Sequence, residues 1–316
     1  MNTREIEYFL ITAEEMNITR AANRLFISQQ ALSAHIKRLE AEYGAQLFRR
    51  KPTLALTPEG KELVYYGERI LSAERHLRAS ISDISETCRA HLTLGISRLR
   101  ADAFFPMVWQ QYRKQYPHVT IELVDGNSEK LQDLLDAGKL DLYIGPDVTA
   151  APEQEHIHLA SEYLFTCMSD DFLRGAFAKD YEAMRHRFQS GLDIKDISYL
   201  PLLTMRPSNR LRKRLDRLFA AMDLKPNYVF ETDSQPLIYQ MAKQGTGIGI
   251  VSPVVFYQNM REIHSMGNSF HIFPIKNELS ESEIILTYRT DYPRARHIEE
   301  FIKAVIDVFQ NYQNAF

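Results

Sequence analysis

The segment from Thr19 to Arg50, TRAANRLFISQQALSAHIKRLEAEYGAQLFRR, constrains the fold of this chain more than any other. Apolar residues recur in it at helical spacing, and Ser28 and Gly44 stand where an N-cap and a C-terminal glycine would bound a helix. This pattern predicts a helix that buries one apolar stripe: Leu32, Ile36, Leu39 and Tyr43. We expect a shorter helix before it, capped by Thr19 and running through Leu25, so that the two form a helix-turn-helix.

Two flanking patterns extend this motif into a small domain. A further helix is predicted after Thr3, where apolar residues recur at the same spacing: Ile6, Phe9, Leu10 and Ala13. After the motif, AQLFRRKPTLALTPEG alternates apolar residues in a short extended stretch, which is typical of a wing that lies beside a DNA groove. The basic residues of this stretch are placed to meet phosphates: Arg49, Arg50 and Lys51.

The outward face at the start of the longer helix is polar, which is unusual for a helix that only supports a core. With the apolar stripe turned inward, the outward residues are Gln29, Gln30, Ser33 and Lys37. Such side chains reach base edges and phosphates in a major groove. Taken alone, this helix is equally compatible with a solvated face that binds no partner. The predicted wing after it favours DNA binding. The net charge of −3 argues against binding over the whole surface, so the predicted patch is local: Lys37, Arg38, Arg49, Arg50 and Lys51.

A second segment is one long helix that begins at Thr57-Pro58, where threonine caps the helix and proline suits its first position. Apolar residues then follow at three- and four-residue spacing: Leu63, Tyr66, Ile70, Ala73, Leu77, Ser80 and Ile84. Such a seam is typical of a coiled coil, so we expect the helix to pair with its copy in a second subunit. Packing onto its own domain is the alternative. The polar stretch SDISETCRAH after it is typical of a hinge.

The third segment, residues 91–316, alternates strand-like and helical runs. Strands are expected at HLTLGIS, VTIELVD and LDLYIGP, and the pattern repeats with YLPLLTM, NYVFETD and IGIVSP. This alternation predicts a parallel α/β architecture, and two such units would form two lobes. Ligands of open α/β sheets bind beyond the carboxyl ends of the strands, near helix N-termini.

Length and composition exclude several other protein classes. The 316 residues suit two or three domains. The N-terminal MNTREIEYFLITAEE carries acids inside its apolar pattern and is not a signal peptide, and no apolar run approaches the ~20 residues that span a bilayer. We therefore expect a cytoplasmic protein with no membrane partner, whose two cysteines, Cys88 and Cys167, are free thiols.

No motif predicts catalysis, a metal site or a cofactor. QGTGIGI lacks the Lys-Ser/Thr of a P-loop and the last glycine of a dinucleotide fingerprint, so we expect a tight helix-to-strand turn there. His156 and His158 share one face of a strand, but no third ligand follows at useful spacing. The sequence also lacks a G-x-S-x-G elbow, so we expect neither an enzyme nor a bound metal or cofactor.

Together, the three segments resemble the LysR-type transcriptional regulators over nearly the whole chain. The most specific match is REIEYFLITAEEMNITRAANRLFISQQALSAHIKRLEAEYGAQLFRR followed by LTPEGKEL, whereas LLDAGKLDLYIG and MAKQGTGIGIVSP match more loosely. The resemblance implies an all-α winged helix-turn-helix at residues 1–57, a dimerisation helix and hinge at 58–90, and a two-lobed, periplasmic-binding-protein-like α/β effector domain at 91–316. The lobes would divide that domain into about 91–162 with 270–316 for lobe I and about 163–269 for lobe II.

The resemblance also implies partners. These are double-stranded DNA with an imperfect inverted repeat, a second copy of the chain in a homodimer or homotetramer, a small-molecule effector and RNA polymerase. Two other classes remain open on the sequence. The two-lobed domain also occurs in solute-binding proteins and enzymes, and the chain is compatible with an architectural DNA-binding protein whose sensor domain is vestigial.

On the DNA face, the resemblance assigns base contacts and phosphate contacts to different residues. Base edges would be read by Gln29, Gln30 and Ser33. Phosphates would be met by Thr19, Arg20, Ser28, Lys37, Arg49, Arg50 and Lys51. The chain departs from the family at Gln30, where proline is common, and at Ala34, where a basic or amide residue is common. We expect His35 to be solvated, with contact to the DNA backbone as the alternative.

In the third segment, matching positions imply an effector cleft lined by Ser97, Arg98, Asn127, Ser128, Pro146, Thr204, Met205, Arg206 and Gly247. Hydroxyls near helix N-termini, together with Arg98 and Arg206, favour an anionic effector such as a carboxylate. Alternatively, both arginines are surface residues. Leu99 replaces a hydroxyl of some relatives, which indicates partly apolar contact or another ligand class. The stretch at about 171–197 is longer than usual and is expected to add a helix to lobe II.

Overall fold

A computed structural model describes residues 2–51, 53–84, 90–146, 151, 153–291 and 294–313. Cys88, one of the two cysteines expected to be free thiols, lies outside these residues. Cys167 is a free thiol, and its complete burial raises the pKa of that thiol. None of the described helices combines the length and the apolar character needed to cross a bilayer.

The N-terminal module contains the predicted helices and wing. Its elements are α1 (Thr3–Glu15), α2 (Ile18–Arg24), α3 (Gln29–Tyr43), β1 (Phe48–Arg49) and β2 (Ala55–Leu56), followed by the long helix α4 (Pro58–Ile84). Strands β1 and β2 pair antiparallel, as expected for a wing. The apolar faces of the helices enclose one core, which includes Ile6, Phe9, Leu32, Leu39 and Phe48.

The caps of this module agree with the sequence for α3 but not for α2. Ser28 caps α3, and Gly44 ends it in the left-handed region at φ 64°. Helix α2 is capped by Asn17, whose side chain accepts hydrogen bonds from the backbone N–H groups of Thr19 and Arg20. The prediction that Thr19 is the cap is therefore wrong, because asparagine two residues upstream performs the same function. Tyr43 also differs from its prediction, since it is 44% exposed rather than buried.

The predicted seam of α4 divides between two environments. Leu63 is buried and Ile70 partly buried in the core of the N-terminal module, so packing onto its own domain applies to this part of the helix. Tyr66 and Leu77 are 55% and 60% exposed. The side chains of Ser80 and Ile84 lie outside the described residues. Part of the stripe thus remains open to a partner, and pairing of α4 stays a prediction.

The rest of the chain forms two sheets with helices packed against them. In chain order the elements are β3 (His91–Ile96), α5 (Arg98–Tyr112), β4 (Thr120–Val124), α6 (Ser128–Asp136), β5 (Leu142–Pro146), β6 (Gln154–Glu162), β7 (Phe165–Ser169), α7 (Asp170–Phe177), α8 (Tyr181–Gln189), β8 (Leu202–Met205), α9 (Arg210–Ala221), β9 (Tyr228–Thr232), α10 (Gln235–Lys243), β10 (Ile248–Val251), α11 (Val254–Gln258), α12 (Met260–Met266), β11 (Phe270–Pro274), β12 (Ser282–Arg289) and α13 (Arg296–Gln313).

Each sheet mixes parallel and antiparallel pairs. The first has the order β4-β3-β5-β12-β6, with β3 parallel to β4 and β5, and β12 antiparallel to β5 and β6. The second has the order β11-β7-β10-β8-β9, with β8 parallel to β9 and β10, and β7 antiparallel to β10 and β11. Each sheet has its own apolar core, which gives the two α/β lobes expected from the alternating pattern.

Two details of lobe II differ from the sequence expectations. The chain does not return to lobe I near residue 270, because β11 pairs with β7 in the second sheet and the first sheet resumes only at Ser282. The long stretch at about 171–197 adds two helices, α7 and α8, rather than one. Phe188 of α8 is fully buried in the core of lobe II, so this insertion is packed into the lobe.

Candidate nucleic-acid interface and ligand cleft

The outer face of α3 presents the polar residues that the sequence singled out. Gln29, Gln30 and Lys37 are exposed, and Ser33 is half-buried. Ser28 uses its hydroxyl to accept a hydrogen bond from the backbone N–H of Ala31 at 3.1 Å, so its side chain supports the helix start. Two glutamines therefore stand on the first turn of a helix whose opposite face is held in a core.

Behind this face, Arg38 and His35 of α3 contact the protein itself. Arg38 lies 2.6 Å from Nδ1 of His35 and 3.3 Å from the carboxylate of Glu5 on α1. The His35 ring also meets Tyr8 edge-on, with ring centroids 4.9 Å apart. The expectation that His35 is solvated is wrong, because this histidine ties α3 to α1.

The cations around the two helices and the wing fall into two groups. Arg49 and Lys51 are exposed, and within the described residues neither has a protein partner. Arg50 lies 3.4 Å from Glu40, a carboxylate that also accepts from backbone N–H groups at the start of the wing. Arg20, on the exposed first turn of α2 beside Thr19, donates to the backbone oxygen of Glu15 at 2.5 Å. A phosphate would meet Arg49 and Lys51 without displacing a protein carboxylate.

Between the two lobes lies a cleft of about 590 Å³. It contains six of the nine positions that the sequence assigned to an effector: Ser97, Arg98, Asn127, Ser128, Pro146 and Met205. These positions follow β3 and β4 or are the last residues of β5 and β8, so the carboxyl ends of strands from both sheets converge here. Leu99 also lines the cleft and adds apolar surface.

Three predicted positions are not among the lining residues. Thr204 is completely buried in the sheet, and its hydroxyl has no hydrogen-bond partner among the described residues. Arg206 is exposed and lies 3.4 Å from Asp233. Gly247 packs closely, since a Cβ there would approach the carbonyl oxygen of Pro201 to 2.9 Å. The glycine therefore serves strand packing, and Arg206 matches the alternative of a surface arginine.

Four helices begin at this cleft, two from each lobe. Their N-caps are Ser97 for α5, Asn127 for α6, Asn209 for α9 and Ser234 for α10. Asn127, Asn209 and Ser234 accept hydrogen bonds from their own helices, whereas Ser97 makes no such bond. The partial positive charge of the helix N-termini faces the cleft from both sides, and the Ser97 hydroxyl is not used by its helix.

Several of the charges that line the cleft are already paired. Arg98 binds Asp102 at 3.0 Å, and its backbone N–H donates to the Asp125 carboxylate at 2.9 Å. Lys213 of lobe II reaches Glu129 of lobe I at 3.3 Å. Arg98, one of the two arginines taken to favour an anionic effector, thus already has a carboxylate of the protein within reach, as does Lys213.

The buried wall of the cleft holds an ion pair that the sequence analysis missed. Arg100 donates to Glu162 at 2.7 Å, and the hydroxyl of Tyr312 donates to the other carboxylate oxygen at 3.0 Å. All three side chains are nearly inaccessible, and burial raises the pKa of Tyr312. Arg210 was also missed; it donates to the carbonyl oxygen of Pro146 and so bridges the lobes. These contacts join residues that are far apart in the sequence, so no local pattern predicts them. A signal was available for Arg210, because Asn209 caps the start of its helix as Asn127 caps α6.

The two histidines considered as metal ligands face separate partners. Nδ1 of His156 lies 2.9 Å from the hydroxyl of Thr287, and Nε2 of His158 lies 3.2 Å from that of Ser161. Within the described ranges, no group of three or more His, Cys, Asp or Glu side chains is arranged to hold a metal ion.

A second cavity, of about 600 Å³, lies where α1, α4 and lobe I meet. Lys139, in the turn after α6, binds Glu14 of α1 at 3.2 Å and Glu68 of α4 at 2.7 Å. Burial opposes the charge of this lysine, but the two carboxylates outweigh it and raise the pKa of Lys139. Arg75 of α4 donates to the backbone oxygen of Gly138 at 2.8 Å. The helix that begins at the cleft thus ends beside the N-terminal module.

Two family models match the chain. The model described as "Bacterial regulatory helix-turn-helix protein, lysR family" matches residues 3–61, and the model described as "LysR substrate binding domain" matches residues 86–310. Together they include both candidate sites.

Similar curated proteins are transcriptional regulators. The HTH-type transcriptional regulator cbl of Escherichia coli K12 is 27% identical over 265 residues, covering 80% of this chain and 77% of the relative. The regulator CysB of Haemophilus influenzae is 26% identical over 262 residues, covering 80% of this chain and 76% of the relative.

Solved structures share the whole architecture. A full-length OxyR variant from Pseudomonas aeruginosa superposes with a TM-score of 0.68 at 22% identity, covering 96% of this chain and 94% of that one. Full-length CbnR in complex with its target DNA has a TM-score of 0.61 at 18% identity, with 98% and 100% covered. At these identities the likeness shows the fold.

Proposed function

The chain belongs to the LysR family of bacterial DNA-binding transcriptional regulators, and on that premise we propose that it regulates transcription in response to a small molecule bound between its lobes. The observation that carries this proposal is the cleft of about 590 Å³ at which four helix N-termini converge. This volume lies within the range of about 300–1,000 Å³ typical of small-molecule sites.

The proposed effector is a small polar molecule with one anionic group. The N-termini of α5 and α6, with the hydroxyls of Ser97 and Ser128, favour a negative charge in lobe I. Because Arg98 already forms an ion pair with Asp102, the anion has to compete with this carboxylate for the arginine. Leu99 and Met205 supply apolar contact on the two sides. Selectivity would come from replacing an existing pair rather than from filling a vacant positive site.

On DNA, Gln29, Gln30 and Ser33 would read base edges in the major groove. Lys37, Arg49 and Lys51 would contact phosphates, helped by the helix starts at Thr19, Arg20 and Ser28. Arg50 would contribute less, because a phosphate has to compete with Glu40 for it. The support for this division is that the first set stands on the outer face of α3 while the second surrounds it.

The active form would be a homodimer or a tetramer built from dimers. The exposed apolar residues of α4, Tyr66, Leu77 and Ile81, support pairing of this helix with its copy. Two modules would then read an imperfect inverted repeat. A promoter-bound regulator acts in the cytoplasm and meets RNA polymerase there.

The proposal is tested by ligand-dependent DNA binding of the full-length protein. A preferred site is first selected from random duplexes, and its affinity is then measured by fluorescence anisotropy with and without individual carboxylic acids. We expect at least one acid both to change the affinity and to raise the melting temperature, because a ligand of the folded state stabilises it.

Other results would point to the competing classes. An acid that stabilises the protein but leaves DNA binding unchanged would favour a two-lobed binding protein or enzyme. Selective DNA binding with no response to any small molecule would favour an architectural protein. Ser97→Ala is the matched cleft variant: we expect it to weaken the response to the acid while DNA affinity without ligand stays unchanged, since Ser97 makes no cap bond.

A further inference from the structure

Phe26 stands out in the N-terminal module because its ring is fully offered to solvent. It is 95% exposed, whereas Met16 and Tyr43, the other exposed large apolar residues named for the first three helices, are 40% and 44% exposed. Phe26 lies in the turn between α2 and α3, two residues before the cap Ser28. Such exposure forgoes the burial that normally stabilises an aromatic side chain.

The backbone of Phe26 is also in an unfavourable region. Its φ is +55°, which glycine and asparagine adopt readily but a bulky residue rarely does. The turn is held by backbone hydrogen bonds, from the N–H of Phe26 to Asn23 at 3.2 Å and from that of Ile27 to Ala22 at 3.0 Å, and by the neighbouring side chains of Leu25 and Ile27, which pack against the core. Asparagine or glycine would therefore make the same turn with less strain and without an exposed ring, so phenylalanine serves no purpose in the fold.

The surroundings of the ring are those of the DNA-facing surface. Exposed residues on either side of it in the chain are polar: Asn23, Arg24, Ser28, Gln29 and Gln30. A docking surface for another protein would be a contiguous apolar patch, whereas Phe26 is a single apolar group in a polar stretch. In a helix-turn-helix complex the start of the second helix reaches the base edges, so the turn immediately before it lies at the groove.

We propose that Phe26 is a specificity-determining residue whose ring packs against the C5-methyl group of a thymine next to the bases read by Gln29 and Gln30. Thymine is the base that offers an apolar group in the major groove, and phenylalanine is a side chain suited to it. This inference rests on the proposed DNA-binding function. Recognition of a thymine methyl group by Phe26 would add to the recognition of base edges by the side-chain amides of Gln29 and Gln30.

The test uses the full-length protein and the duplex that it selects from a random library. Each thymine of that duplex is replaced in turn by deoxyuridine, which pairs identically but lacks the methyl group. For the wild type we expect one position in each half-site to lose about fourfold in affinity, the factor for burying one methyl group. Phe26→Asn should bind the thymine duplex more weakly and show no difference at that position.

Stability measurements separate this role from a structural one. Phe26→Asn should raise the melting temperature, because asparagine tolerates the left-handed region. Met16→Asn is the matched control, since Met16 ends α1 at φ +44° in the same module. It should also raise the melting temperature, but DNA affinity and the thymine-to-uracil ratio should remain those of the wild type.

Several results would overturn the proposal. An unchanged affinity of Phe26→Asn for the selected duplex would show that the ring does not touch DNA. An equal loss on thymine and uracil duplexes would place the ring against sugar or phosphate instead. A change in oligomeric state with intact DNA binding would assign the ring to a protein contact. If the wild type selects no sequence at all, DNA binding itself fails, and this is known before any variant is made.

Discussion

The DNA-facing surface and the interlobe cleft use charged residues in opposite ways. Around α3 and the wing, Lys37, Arg49 and Lys51 are exposed and free of protein partners within the described residues. Among the cations that line the cleft, three have a carboxylate within 3.3 Å; the pairs are Arg98 with Asp102, Arg100 with Glu162, and Lys213 with Glu129. The cations of the first region are open to a polyanion, whereas these three cations of the cleft are already paired.

This difference has consequences for recognition. On the proposed function, DNA would bind the first region by releasing its own counterions, so no ion pair within the protein would have to break and affinity should fall steeply with salt. A ligand of the cleft gains only what exceeds the pair that it displaces. The cleft should therefore ignore most anions and respond to one whose geometry replaces a carboxylate of the protein. Exchange at the pair of Lys213 with Glu129 would also alter a contact between the lobes, and a ligand that binds one arrangement of the lobes better shifts the conformational equilibrium towards it.

The largest effect is expected at the buried pair. Glu162→Ala leaves Arg100 and the hydroxyl of Tyr312 without their shared acceptor, which should cost about 3–5 kcal/mol of unfolding free energy. The matched control is Glu129→Ala, which removes an exposed partner of Lys213 and should cost less than about 1 kcal/mol. Urea denaturation followed by tryptophan fluorescence measures both. An equal loss of unfolding free energy in the two variants would contradict the difference between the buried pair at Glu162 and the exposed pair at Glu129.

The next largest effect concerns sequence preference on DNA. Gln29→Ala removes an amide that can bind adenine in bidentate fashion, so discrimination between the selected duplex and random duplex should fall by about 1–3 kcal/mol. Binding to random duplex should change little, because the cations around α3 remain. Competition anisotropy at constant salt gives both values. A uniform loss on both duplexes would assign Gln29 to the phosphates instead.

Sequence reasoning predicted the helix-turn-helix well because its signals are local. Ser28, Gly44 and the apolar stripe between them fix α3 within a few residues of chain. The same locality explains the error at α2, where Asn17 and Thr19 are both good caps and the short helix allows either. Patterns of this kind locate elements more reliably than they locate their ends.

The cleft was predicted only in part, because its parts come together through tertiary structure. Ser97, Asn127 and Ser128, which the family resemblance implied from matching positions, do line it. Arg100 and Glu162 are 62 residues apart, and only the pairing of β6 in the first sheet places the carboxylate beside α5. Likewise, the sequence does not reveal that β11 stays in the second sheet, because the residues of a strand do not specify which sheet it joins.

A smaller effect should separate the free cations from the paired ones. Arg49→Ala should weaken binding to selected and random duplexes alike and lower the slope of log affinity against log salt by about 0.9 for each lost phosphate contact. Arg50→Ala is the control, because Arg50 forms an ion pair with Glu40 and is less available to a phosphate. Its slope should change less. A larger change for Arg50 would mean that the pair with Glu40 opens when DNA binds.

The smallest effect tests whether the two regions communicate through α6. This helix begins at the cleft and ends at Asp136, three residues before Lys139, which binds Glu14 and Glu68. Lys139 is about one-third exposed, so Lys139→Gln should cost less than about 1 kcal/mol of stability. We expect it to leave DNA affinity without ligand nearly unchanged but to reduce the change in affinity that the effector causes.

The control for this variant is Lys303→Gln, which breaks a comparable exposed pair with Glu300 on α13, away from both sites. A selective effect of Lys139→Gln on the ligand response would show that a rigid helix carries the exchange of ion pairs in the cleft to the module with free cations. If both variants respond to the effector as the wild type does, the coupling runs by another route. Pairing of the exposed face of α4 at Tyr66, Leu77 and Ile81 would then be the element to test, because it joins the two DNA-binding modules directly.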